Sequence, residues 1–244
     1  MSENQSKRWG ILIQVQDPRA VAQWLTENLF FTLTDNELDN SGRLVLTNEN
    51  CLLVIEPGDN AALISPPTGF YHTGLAHIAL RTDRIDEAIA WCQSRQLTLQ
   101  LDGAGSFFNP KVFGGGERFF NVISPFGVIF EVSQRVDYPS PYQGSLICGL
   151  DHLGVPSPEI HAELDFFQRL GFAPEFATVT NWNAAEGTIY CCMLSQKDPA
   201  GYEMTLEIYQ FADMKPLPLP DDYGIKGLVF DGSGQRSSAG VQLV

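Results

Sequence analysis

The sequence predicts an α+β protein assembled from repeats of one β-α-β-β-β unit, and three observations carry that prediction. GLAHIALRTDRIDEAIAW, from Gly74, and GLDHLGVPSPEIHAELDFF, from Gly149, are two versions of one phrase in which a strand runs into a helix. Two of the four histidines, His77 and His152, stand at the same place in it, and superimposing them aligns the following helices without a gap. After each helix come three apolar segments of strand length, the last with a glutamate at mid-strand. Glu131 follows His77 by 54 residues, and Glu207 follows His152 by 55. Self-similarity at a fixed period outweighs any reading of single elements.

The first unit, 9–57, is the most degenerate. GILIQVQ (10–16) is its opening strand, and DPRAVAQWLTENL its helix. Pro18 lies near the first helical turn, where a missing N–H costs little, and Val21, Trp24 and Leu25 form the apolar stripe. RLVLT (43–47) and CLLVIEP (51–57) are strands, the latter with Glu56 at the matching position; aligning Trp24 on Trp91 puts Gly10 where histidine would stand. The second unit, 74–135, has a helix with Ile85, Ala88, Ile89 and Cys92 at helical spacing, then LTLQL (97–101), ERFFNVI (117–123) and GVIFEVS (127–133). The third, 149–212, has Ile160, Leu164 and Phe167 on its helix and Gly171 as a stop signal, then PEFATVT (174–180), GTIYCCML (187–194) and YEMTLEIYQF (202–211). Linkers rich in Pro, Gly and Tyr separate the units. The remaining 213–244 is too short for a fourth and offers one strand at 226–230 and a terminal one at 240–244.

Composition bounds the partners. With 244 residues, 44% apolar and 18% charged, the chain can bury an ample core. Its formal charge of −14, without a basic cluster, argues against nucleic acid or an anionic membrane as partner. No run approaches the roughly 18 apolar residues of a membrane span, so cytoplasm is the expected location. The five cysteines read as buried thiols; Cys191 and Cys192, adjacent on a strand, point to opposite faces and do not share a metal.

The stretches ILIQVQDPRAVAQWL, GLAHIALRTDRIDEAIAW, SPFGVIFEV and GLDHLGVP…FFQRLGF resemble the vicinal oxygen chelate superfamily, which includes the glyoxalase I, bleomycin-resistance and extradiol dioxygenase families. The resemblance covers about residues 9–212. It implies βαβββ modules pairing into curved mixed sheets around a central cleft that holds a divalent metal. It also implies ligands at the start of the first strand and the middle of the last, here His77, Glu131, His152, Glu207 and, in the first unit, Glu56. Imidazole with carboxylate suits Zn, Fe, Mn, Ni or Co rather than a thiolate-seeking ion.

Two pairings of units are open. Joining the first and second gathers Glu56, His77 and Glu131, whereas joining the second and third gathers His77, Glu131, His152 and Glu207. The first follows family habit, and ligand economy favours the second. The unit left over has an open sheet edge that needs a cover, for which a homodimer is one solution. The function implied is that of a small-molecule enzyme, a lyase or isomerase of glyoxalase type with Glu131 or Glu207 as general base. An extradiol ring-cleaving dioxygenase is the alternative, weakened by the absence of any histidine after His161. A metal-free drug- or metabolite-binding protein of the bleomycin-resistance type is the other. His72 is placed to reach the cleft mouth, and NPKVFGGGERFF reads as a hairpin tip whose Lys111 or Arg118 meets an anionic substrate group. Phe107, Phe108, Phe113, Phe119 and Phe120 are candidates for an apolar lining.

Overall fold

The structure is a computed structural model, and it describes residues 9–34, 42–58, 73–103, 105–181, 187–197, 201, 203–213, 225–229 and 235–243. His72 lies outside them.

The first unit forms β1 (Gly10–Val15), α1 (Pro18–Leu29), β2 (Thr32–Leu33), β3 (Leu44–Asn48) and β4 (Cys51–Pro57). Asp17 caps α1, accepting hydrogen bonds from the amides of Arg19 and Ala20, with Pro18 next in line. Val21, Leu25 and Leu29 bury their side chains against the sheet. The second unit forms β5 (His77–Arg81), α2 (Ile85–Ser94), β6 (Thr98–Gln100), β7 (Phe107–Asn109), β8 (Glu117–Ile123) and β9 (Ile129–Arg135). The third forms β10 (Leu150–Pro156), α3 (Ile160–Arg169), β11 (Ala173–Asn181), β12 (Thr188–Lys197) and β13 (Glu203–Phe211). The tail adds β14 (Ile225–Val229) and β15 (Gln242–Leu243). The short strands β2 and β7 carry too few residues to show a periodicity in the sequence.

Two mixed sheets result, one in the order β15-β14-β1-β4-β3-β2, the other β11-β12-β13-β10-β5-β9-β8-β6 with β7 also on β8. The second and third units thus pair through their first strands, β5 antiparallel to β10. In each unit the first strand also runs parallel to the last, β5 with β9 and β10 with β13. The tail repeats this plan in miniature: β14 pairs antiparallel with β1 and parallel with β15. The tail thus has the strand pairing of a module's first and last strands, and β14 covers the outer edge of β1.

Strand register corrects one alignment. Glu131 and Glu207 lie two residues beyond the position that pairs with the histidine of their unit. In the first unit Glu56 pairs with Gln14 and Val54 with Leu12. Leu12, not Gly10, therefore stands at the histidine position. The strand-to-helix connection is two residues shorter in the first unit, which a gapless alignment on Trp24 could not register.

Alternation along each strand divides its side chains between two environments. Ile78, Leu80, Phe120, Phe130 and Val132 join Leu153, Val155, Leu206, Phe166 and Phe167 in one core that extends into the first unit. Trp24 meets Phe126 and Phe130, and the Trp91 indole donates to the Asn28 carbonyl. The turn between β3 and β4 reaches into the other sheet. Asn48 accepts from the Gly149 amide and Asn50 from the Leu150 amide, while the Asn50 side-chain amide donates to the carbonyls of Leu150 and Glu203. The first unit thereby clamps the start of β10 and of β13. Among the described residues no helix is long and apolar enough to cross a membrane.

Candidate metal centre

The opposite face of the nine-stranded sheet carries the polar residues. His77 enters from β5, Glu131 from β9, His152 from β10 and Glu207 from β13, four strands that are consecutive in the sheet. The Nε2 atoms of His77 and His152 are 3.2 Å apart. Glu207 Oε2 lies 3.7 Å from the first and 3.5 Å from the second, and Glu131 Oε1 lies 3.6 Å from His152 Nε2. Donors held about 2.1 Å from one ion stand at such separations from each other. His77, Glu131 and His152 are buried and form a group able to hold a metal; the Glu207 side chain is 25% exposed.

Two features that sequence reasoning missed set the imidazoles. Gly154 pairs directly with His77 across β5 and β10. A Cβ on Gly154 would sit 1.9 Å from His77 Cε1, so the ring occupies the space that only glycine leaves. Asp151, next to His152 in sequence, should by alternation point away. A break in register between Leu150 and His152 inserts Asp151 as an extra residue, and both side chains reach the same face. Asp151 Oδ1 lies 2.9 Å from His152 Nδ1. A proton on Nδ1 leaves the Nε2 lone pair free, the arrangement by which carboxylates orient metal-binding histidines. Arg81 and Arg135 hold Asp151 in turn, at 2.8 Å and at 2.8 and 3.0 Å. No signal in the earlier repeat could have exposed Asp151, because Ala76 precedes His77.

The electrostatics call for positive charge. Among the described residues Glu117, Glu131, Glu207 and Asp151 face only the two guanidinium groups of Arg81 and Arg135, so with neutral imidazoles the cluster is two charges negative, which one divalent cation balances. Protein groups alone compensate by holding protons. Burial drives the Glu131 carboxyl well above its ordinary range, with Glu117 adding to the effect. Burial also lifts Glu117, to about 7, although Ser133 donates to it. Burial opposes protonation of His152, yet the Asp151 hydrogen bond and the Glu207 and Glu131 carboxylates override it and raise its pKa to about 10. For His77, burial and then the neighbouring His152 push the pKa down. The residues present fit a divalent ion in their number, donor type, spacing and charge.

Glu56 is not brought to this group. It lies in the other sheet, where Gln14 donates to it at 2.7 Å and Arg43 at 2.8 Å. Arg118 faces α2 rather than the cleft, in a paired contact with Asp86, and Lys111 Nζ donates to the Val179 carbonyl. Neither points at the centre. His161 is exposed on α3. Cys191 and Cys192 do face opposite sides, Cys191 into the cleft and Cys192 into the main core. Above the centre lies a cleft of about 80 Å³. Its lining comes from β5, β7, β8, β9, β11, β12 and β13, so the sheet curves around it. Of the five candidate phenylalanines Phe119 lines it, with Phe107 stacked behind; Phe120 is in the core and Phe108 is exposed.

No protein-family model and no curated protein matches this sequence. Solved structures do match it. Two single-site mutants of glyoxalase I from Zea mays superpose with TM-scores of 0.64 and 0.63 at 16% and 18% identity. The alignments cover 92% of this chain and 74% and 75% of theirs. A Bacillus subtilis protein provisionally described as a dioxygenase gives 0.55 at 10% identity, over 92% of this chain and 70% of that one. At such identities the likeness is one of fold.

Proposed function

This chain has the fold of the vicinal oxygen chelate superfamily, and on that footing we propose that it is a small-molecule enzyme, a lyase or isomerase, built around a divalent metal. His77, Glu131, His152 and Glu207 would hold the ion. The observation that supports this most is the convergence, from four adjacent strands, of two imidazole Nε2 atoms 3.2 Å apart with Glu207 at 3.5 and 3.7 Å from them and Glu131 at 3.6 Å from that of His152. When bound, the metal supplies Lewis-acid polarisation of a substrate oxygen.

The protein's own residues divide the remaining work. Gly154 and Asp151 orient the imidazoles. Glu131 is enclosed and acts as a fixed donor. Glu207 is the more open carboxylate, touched at Oε1 by the Cys191 thiol at 3.5 Å, and that openness supports Glu207 over Glu131 as the base that would take a proton from a carbon beside the polarised oxygen and return it to a neighbouring one. The apolar side chains of Val112, Phe119, Ile189 and Phe211 would limit the water beside that carboxylate.

Metal analysis of the purified protein tests this reading. Bound metal near one per chain, lost in both His77→Ala and His152→Ala and kept in Glu56→Ala, supports it; unchanged metal content in both histidine variants refutes it. A second reading, oxygen-dependent ring cleavage, draws support from the two histidines with Glu207, whose donor atoms lie 3.2–3.7 Å apart, the donor set of non-haem iron oxygenases. Oxygen uptake with catechols, set against turnover of a hemithioacetal, separates the two.

A further inference from the structure

Resting on that metal-site reading, we infer the class of molecule the cleft accepts: apart from the oxygens it presents to the cation, its body is uncharged and mainly apolar. The described wall beyond the four ligands includes Val112, Phe119, Ile189, Tyr209 and Phe211. Around it Val112, Phe113, Cys191, Met193, Tyr209 and Phe211 pack as a separate apolar cluster, distinct from the main core. Val112, Cys191, Tyr209 and Phe211 of this cluster line the cleft and give that wall its apolar character.

The charged side chains in the described lining, beside the imidazole of His77, are the carboxylates Glu117, Glu131 and Glu207. Among the described residues the basic groups nearest the cleft are engaged elsewhere. Arg81 and Arg135 are spent on Asp151, which is buried and would be left without a counter-ion if they turned away. Arg118 is held by Asp86 on the far face of its strand, and Lys111 is drawn to the rim by the Val179 carbonyl. A carboxylate or phosphate on the substrate body would therefore lose water against apolar surface and meet like charge. Neutral polar side chains also line the cleft, Asn109, Thr178, Thr180 and Tyr209 among the described residues. A hydroxyl or carbonyl on an otherwise apolar body would find a partner among them.

The test uses the full chain loaded with Co(II), whose visible absorption reports entry of a ligand into the coordination sphere. Two probes present the same adjacent oxygens, 4-methylcatechol and 3,4-dihydroxybenzoate. The expected result is binding of the methyl compound at least tenfold tighter than the carboxylate. In Ile189→Lys, which sets an ammonium into the apolar wall, the ratio should shift by at least tenfold toward the carboxylate. Equal or tighter binding of 3,4-dihydroxybenzoate by the unaltered protein overturns the inference, as does cobalt uptake without a spectral response to either probe. Failure to take up cobalt, read by metal analysis before any probe is added, instead overturns the metal-site reading.

Discussion

Substituting Gly154 by alanine tests the geometry of the centre at a residue that is not itself a ligand. The added Cβ would lie 1.9 Å from Cε1, 2.3 Å from Nδ1 and 2.6 Å from Nε2 of His77. Ordinary carbon contacts lie at about 3.5–4.0 Å, so the ring has to move by about 1.6 Å. Metal–ligand distances tolerate about 0.2 Å, so the displaced imidazole is lost as a donor. Groups that only orient ligands already account for about 10–100-fold in affinity. We expect the upper end, about 100-fold, or roughly 2.8 kcal/mol at 1.4 kcal/mol per tenfold. The backbone at Gly154 is not left-handed, so alanine is permitted there. The metal-free variant should keep its far-UV spectrum and melt within about 4 °C of the parent, a shift of roughly 1–2 kcal/mol for a chain of this size. The assay is a competition titration against a chromophoric zinc chelator. A folded Gly154→Ala that binds zinc within about threefold of the parent refutes the reasoning.

Three further outcomes follow from the same contacts. Asp151→Asn takes from the buried Arg81 and the partly buried Arg135 the carboxylate they share, and breaking such a pair costs about 3–5 kcal/mol; thermal melting should fall by about 10 °C, and a drop under about 2 °C counts against the clamp. In the metal-free protein His152 holds a proton at neutral pH, its pKa being raised to about 10 by the Asp151 hydrogen bond and the neighbouring carboxylates, and a cation must displace it. Metal affinity should therefore climb by at least about tenfold per pH unit from 6 to 8, whereas a flat profile in competition titrations contradicts the assignment. Asn50→Ala removes hydrogen bonds to Leu150 and Glu203 and should cost about 2–4 kcal/mol by urea denaturation. It should also weaken zinc binding several-fold more than the similarly destabilising Leu25→Ala, which leaves β10 untouched; equal losses would make the clamp merely structural.

What was legible in the sequence depended on local periodicity. The helix stripes and the long strands follow from spacing alone. Because alternation fixes the face on which a side chain emerges, His77, Glu131, His152 and Glu207 could be singled out from repeat position before any pairing was known. Glu56 shared that position and was singled out equally. Nothing local says that its sheet is a different one, or that Gln14 and Arg43 take up its oxygens.

The order of strands was decided only in three dimensions. Pairing β5 with β10 required that β1 find its partner in β14, more than 200 residues away, a choice governed by which edges remain uncovered rather than by any residue's own preference. The same holds for Asp151, which reaches the site through one extra residue in the register of β10, and for Gly154, whose role is the space above it. Sequence patterning assigns faces, because that follows from the covalent geometry of a strand. Which face meets which neighbour, and with how much room, is set by packing of the whole chain.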